Sequence, residues 1–97
     1  MERTTATARL KAHKRELKRL GVVHLYLFGS TARDAAHEDS DVDLFFDHVR
    51  GTLGLFQLMD LQQRAGEILG ANADLTTRSS LHPSLRKQIE ASAVQIF

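Results

Sequence analysis

Gly29-Ser30-Thr31-Ala32-Arg33, then a polar passage over 34–40, then Asp41-Val42-Asp43: this stretch decides how the chain is read, and apolar runs over 22–28 and 44–46 bracket it. Side chains alternate faces along a strand, so residues two apart project together. If 41–47 is a strand, Asp41 and Asp43 point the same way. Two like charges that close raise each other's proton affinity unless a cation sits between them, which makes a divalent metal the natural third party. Oxygen-only ligands favour magnesium or manganese over zinc. Gly29 allows a tight turn after the first strand, and Ser30 offers a hydroxyl at the start of a short helix whose free N–H groups suit a phosphate. A phosphate cradle beside a pair of metal-binding carboxylates describes a site for a nucleoside triphosphate.

Plainer readings stand next to these. An isolated Asp-x-Asp is often only an acidic strand edge, and Gly29-Ser30 would also serve as a strand-to-helix turn with a capping serine. The combination argues for a metal site: Gly-Ser and Asp-x-Asp lie between two apolar runs, and Asp74 opens a further strand. A calcium loop built on Asp39, Asp41 and Asp43 fails, because Leu44 stands where that loop needs Gly and Arg50 where it needs Glu. Arg33 suits either a phosphate or an ion pair with Glu38 or Asp39.

Gly29-Ser30, ten intervening residues, then Asp41-Val42-Asp43 resembles the signature of the DNA polymerase β-like nucleotidyltransferase superfamily. With Thr31-Ala32-Arg33 and Ser40 to Leu44 included, the match is to its smallest members, the minimal nucleotidyltransferases (MNT domains). Ala73-Asp74-Leu75 resembles their third-carboxylate strand, and Leu81-His82-Pro83 with the following helix resembles their C-terminal segment, so the likeness covers nearly the whole chain. One departure is Asp34, where many relatives carry Gly. The resemblance implies a catalytic and metal-binding triad of Asp41, Asp43 and Asp74, with Gly29, Ser30 and Arg33 on the nucleotide. It implies a Mg²⁺- or Mn²⁺-dependent transfer of AMP from ATP to a hydroxyl, Asp74 activating the incoming group. The expected acceptor is a tyrosine of a cognate HEPN ribonuclease toxin, neutralised by the modification in a hetero-oligomeric toxin-antitoxin pair. Two rivals remain at this stage: an antitoxin that acts by binding alone, and transfer to a small molecule.

Ninety-seven residues suit one domain, 1–97, with no room for an added substrate domain. The net charge of +1 predicts neither nucleic-acid binding nor an acidic partner. Charge is unevenly placed, however. Seven of thirteen Lys and Arg fall in the first twenty residues, and six of twelve acids fall over 34–47, so an acidic centre sits beside a basic arm. There is no cysteine and hence no disulfide or thiolate site. No run approaches the ~18 apolar residues of a membrane span, and no apolar stretch follows the basic start as in a signal peptide. The expectation is a soluble cytoplasmic protein that does not touch the membrane.

Ala6, Leu10, His13, Leu17 and Leu20 recur at helical spacing, predicting one helix over 5–20 capped by Gly21, with Arg9, Lys11, Lys14, Arg15, Lys18 and Arg19 opposite. That basic face is either solvated or a surface for a partner. A central strand covered on both faces is expected over 22–28, a short helix over 31–36, and a neighbouring strand over 41–47. A helix follows from Leu55 to Leu69, in which Gly66 implies a close contact or fraying; Gly70 and Asn72 end it. A strand over 73–77 and a helix over 83–91 complete the pattern, and 93–97 suits either more helix or an edge strand. The expected fold is α/β (α+β): a small mixed sheet with helices packed against it, as in polymerase β-like nucleotidyltransferases.

Overall fold

Alternation along the two strands that flank the Gly-Ser turn sorts their side chains onto two different surfaces. The computed structural model, which describes residues 1–37 and 40–97, has β1 at His24–Phe28 and β2 at Val42–Asp47. They pair antiparallel with Phe28 opposite Asp43 and His24 opposite Asp47. Strand β3, Ala73–Thr77, lies parallel to β2 with Asp74 opposite Asp43, and the two-residue β4, Val94–Gln95, lies antiparallel to β1. The sheet order is β3-β2-β1-β4.

One face of this mixed sheet carries the core. Leu25, Leu27, Val42, Leu44, Phe46 and Leu75 pack there against helices α1 (Arg3–Ala12), α2 (Lys14–Arg19) and α4 (Leu55–Leu69). Burying each such Leu contributes about 1.5–3 kcal/mol. Helix α4 bridges the parallel strands β2 and β3, as a parallel pair requires. The other face is half covered: β1 alternates between buried and part-exposed positions, so the expected two-sided burial of that strand is corrected to one-sided. Helices α3 (Gly29–Ala32) and α5 (Arg86–Ser92) belong to the ends and to this second face.

The bounds of α4 and β3 match expectation, and 93–97 resolves as an edge strand rather than more helix. The expected first helix is divided at His13, whose φ and ψ are −107° and 19°. Its ring Nδ1–H donates to the Arg9 carbonyl at 2.9 Å, so its own amide turns to Leu10 instead. This side-chain competition interrupts the helical ladder. Gly66 is a close contact: an added Cβ would sit 3.2 Å from the Ala71 carbonyl oxygen.

Candidate active site

On the part-covered face, strand register lines up rows of side chains. The first row reads Phe28, Asp43, Asp74 across β1, β2 and β3; the second reads Tyr26, Phe45, Thr76. Asp43 and Asp74 are thus cross-strand neighbours, and Asp41, exposed just before β2, is two residues from Asp43. Asp43 is half-buried, Asp74 exposed.

Electrostatics mark Asp43 as the centre. Burial pushes its carboxyl pKa up, the charges of Asp74 and then Asp41 push it further, and Arg33 opposes them. Among the described residues, no three His, Cys, Asp or Glu side chains converge closely enough to hold a metal ion. The charges of Asp74 and Asp41 thus act on Asp43 without the three forming a closed cluster. Their oxygen-only chemistry suits a hard divalent cation.

The turn into α3 presses against this centre. Gly29 has φ +73°, in the left-handed region where a side chain is strained, and a Cβ there would collide with the Asp43 carboxylate. Glycine is required twice over, for the turn and for the approach of Asp43. Ser30 is part-exposed in the first turn of the one-turn helix. It is not the cap: Phe28 occupies that position, with no side-chain cap bond. Arg33 is exposed beyond α3, near enough to Asp43 to influence its charge. Its alternative partners Glu38 and Asp39, and the Asp39 of the rejected calcium loop, lie outside the described residues. Asp34 adopts φ +54°, the conformation that a Gly at this position would take without strain, and its Oδ1 accepts the Arg3 amide of α1 at 2.7 Å.

Two openings flank the carboxylate row. Where β2 and β3 begin, a groove of about 1080 Å³ runs from Ser40 and Asp41 along α4 past Met59, Gln62 and Gly66 to Asn72 and Ala73. On the β1 side, a cavity of about 200 Å³ lies between Phe28, Gly29 and Arg33 and the underside of α5, which supplies Leu85, just before the helix, then Gln88, Ile89 and Ser92. None of these α5 positions was singled out from the sequence; the repeat 85, 88, 89, 92 was the available signal, visible only once the helix had a partner surface.

Arg78 is not part of the carboxylate row. It donates to both Asp47 oxygens at 2.8 and 3.0 Å and to Glu90 at 2.8 Å, and it lies over the stacked rings of Tyr26 and Phe45, 4.8 and 5.1 Å from their centroids. It ties the end of β3 and helix α5 to the open face. Its guanidinium holds the Asp47 carboxyl below the usual carboxylate range, and with Arg86 it does the same to Glu90. On the basic helix face, Arg9 is taken up by the Leu69 carbonyl at the end of α4, while Lys11, Lys14, Arg15, Lys18 and Arg19 are exposed.

Comparison with known proteins shows the family and the fold. The family model described as the nucleotidyltransferase domain matches residues 10–96. The protein adenylyltransferase MntA of Thermococcus cleftensis is 36% identical over 88 residues, 90% of this chain and 88% of that protein. A solved structure provisionally named a minimal nucleotidyltransferase is 34% identical, covering 97% of this chain and 95% of that one with a TM-score of 0.82. A chain from the complex of the MNT antitoxin with tri-AMPylated HEPN toxin of Shewanella oneidensis is 21% identical, covering 89% of this chain and 70% of that one at a TM-score of 0.60, a likeness of fold.

Proposed function

This chain belongs to the nucleotidyltransferase domain family, and from that premise we propose that it transfers AMP from ATP to a tyrosine hydroxyl of a HEPN toxin and thereby neutralises the toxin. The observation that carries the reading is the row Phe28, Asp43, Asp74 with Gly29 pressed against Asp43, since it joins the phosphate turn to the carboxylates. Support for a protein acceptor comes from the naming of MntA as a protein adenylyltransferase and from the AMPylated HEPN toxin in the Shewanella complex. The chain's own surface adds to this. Leu55, Phe56 and Met59 on α4 are 69, 77 and 58% exposed, and Met59 borders the groove that ends at Asp41. Exposed apolar surface beside an open site suits a macromolecule that supplies the missing wall.

In this mechanism the first amides of α3 and the Ser30 hydroxyl donate to the triphosphate, and Arg33 offsets its charge. Asp41, Asp43 and Asp74 would hold magnesium or manganese, which when bound stabilises charge on the attacking and leaving oxygens. Asp74, at the edge of the row, orients the acceptor hydroxyl and takes its proton. The hydroxyl oxygen bonds to the α-phosphorus, the bond from that phosphorus to the bridging oxygen breaks, and pyrophosphate leaves. Replacing Asp41 and Asp43 together by Asn should lower transfer by about a thousandfold or more, equivalent to about 4 kcal/mol of transition-state stabilisation, while circular dichroism shows the fold retained. Metal-dependent transfer surviving in that folded double variant would rule out the assignment.

A further inference from the structure

We propose that Asp34 is a positioning residue: it ties the turn over 29–33 to helix α1 and so holds Arg33 where the nucleotide meets it. The inference rests on the nucleotidyl-transfer reading above, and it gives a role to the one position in the motif where the sequence departs from the expected glycine.

Helix α3 closes in a way that calls for a left-handed residue just past its end. The Ala35 amide donates to the Ser30 carbonyl at 2.8 Å and the Asp34 amide to the Thr31 carbonyl at 3.2 Å, the paired bonds of a Schellman motif. Asp34 occupies the left-handed position of that motif at φ +54°, and among the described residues no other non-glycine has a positive φ. Glycine takes this conformation at no steric cost, whereas a Cβ is penalised there. Closing the helix therefore does not account for an aspartate, since glycine would close it better.

What the aspartate adds is a bond to a distant element. Its Oδ1 accepts the amide of Arg3, the first residue of α1, at 2.7 Å, and Arg3 Nη1 donates to the Ala32 carbonyl at 3.3 Å. Among the described residues, both hydrogen bonds that join α1 to the turn run through Arg3. An amide in the first turn of a helix has no acceptor within that helix, so a carboxylate is a fitting partner. The guanidinium and carboxylate, 3.9 Å apart with both side chains about half exposed, add little by comparison. The turn is thus gripped at both ends. At its start Phe28 stands opposite Asp43 and Gly29 presses against the Asp43 carboxylate; at its close Ala32 and Asp34 are anchored to α1, whose Ala6 and Leu10 lie in the core. Arg33 sits between the two anchored residues, and its backbone moves only if one of those bonds breaks.

The test is calorimetric titration of the full chain with Mg²⁺ and ATP, read beside the Tm of each variant. Asp34→Gly relieves the left-handed conformation and deletes the tie, so Tm should hold or rise while ATP binding weakens about fivefold. Asp34→Asn keeps an Oδ1 acceptor and tolerates the same φ, so its ATP affinity should stay within about twofold of wild type. Arg3→Pro cuts the same tie from the other side. Proline suits the first position of a helix, and Glu2 before it already has the extended backbone that proline imposes, φ −79° and ψ 150°. This variant should also bind ATP about fivefold more weakly, and the double variant Arg3→Pro with Asp34→Gly no more weakly than either alone, because both remove one interaction. Asp34→Gly binding ATP as tightly as wild type, Asp34→Asn binding as weakly as Asp34→Gly, or additive losses in the double variant would overturn the positioning role and leave nucleotidyl transfer standing. A wild-type chain that binds no ATP would overturn both readings.

Discussion

At Asp43, burial and the charges of Asp74 and Asp41 all favour the protonated carboxyl, and only Arg33 favours the ionised one. The folded state therefore holds this proton more tightly than the unfolded chain, whose Asp titrates near 3.9. Stability falls as pH rises from that value through the raised folded one, and at neutral pH the ionised Asp43 is a net cost to the metal-free fold. Asp43→Asn should then raise the neutral-pH Tm of chelator-treated protein by a few degrees, the order expected for ~0.5–1 kcal/mol in a domain of this size, and flatten its decline above pH 4. A lower Tm in this variant would show that Asp43 is stabilising. This residue was legible because Asp-x-Asp spacing and the Gly-Ser turn act through local geometry. What could not be read was that Asp43 and Gly29 are in contact, since Gly29 is brought to the carboxylate by the antiparallel register of β1 and β2. Asp34 shows the converse. Its departure from Gly was visible, but its bond to the Arg3 amide spans thirty-one positions of sequence.

Among the elements, α5 depends on charge more than any other. It buries no residue, and Glu90 with Asp47 fixes it to the sheet through Arg78. Both carboxyls lie below their ordinary range because Arg78 bonds the ionised forms. Their stabilising effect is therefore complete above ~4, where unfolded Asp and Glu titrate, and is lost as pH falls through the lower folded values. Hydrogen exchange should show amides over 86–92 opening on acidification below about pH 4 before those of β2 do. Arg78→Gln should reproduce that opening at neutral pH and cost about 2 kcal/mol of global stability, the order expected for several lost charged hydrogen bonds at a partly exposed site. Exchange over 86–92 that is unaltered in the variant would mean that the ion network does not hold the helix. The elements that the sequence marked best, α4 and β3, have an apolar stripe and punctuation at Gly70, where φ is +66°. The late start of α5 was hidden by a local competition: His82 Nδ1 accepts from the Ser84 amide and hydroxyl at 3.3 and 2.7 Å, holding residues 83–85 as a turn.

For the whole molecule, the division of the sheet into a core face and a working face explains how ninety-seven residues accommodate both. Helices α1, α2 and α4 take the apolar side of β1 and β2, the second side keeps an open carboxylate row with a cavity toward β1, and a groove along α4 opens where β2 and β3 begin. The fold class was readable because strand alternation and helix spacing each specify one buried face. The two openings were not, since each is made by elements far apart in the chain. No helix among the described residues is long and apolar enough to cross a membrane. On α4, Leu55, Phe56 and Met59 are exposed, and Met59 lines the groove that reaches Asp41, where the proposed protein acceptor would dock. The central claim is tested most directly by incubating the purified chain and the HEPN toxin proposed as its partner with Mg²⁺ and ATP labelled on the α-phosphate, then locating the label by mass spectrometry. The account predicts AMP on a toxin tyrosine with matching release of pyrophosphate; a toxin neutralised by the wild-type chain yet free of label would contradict it.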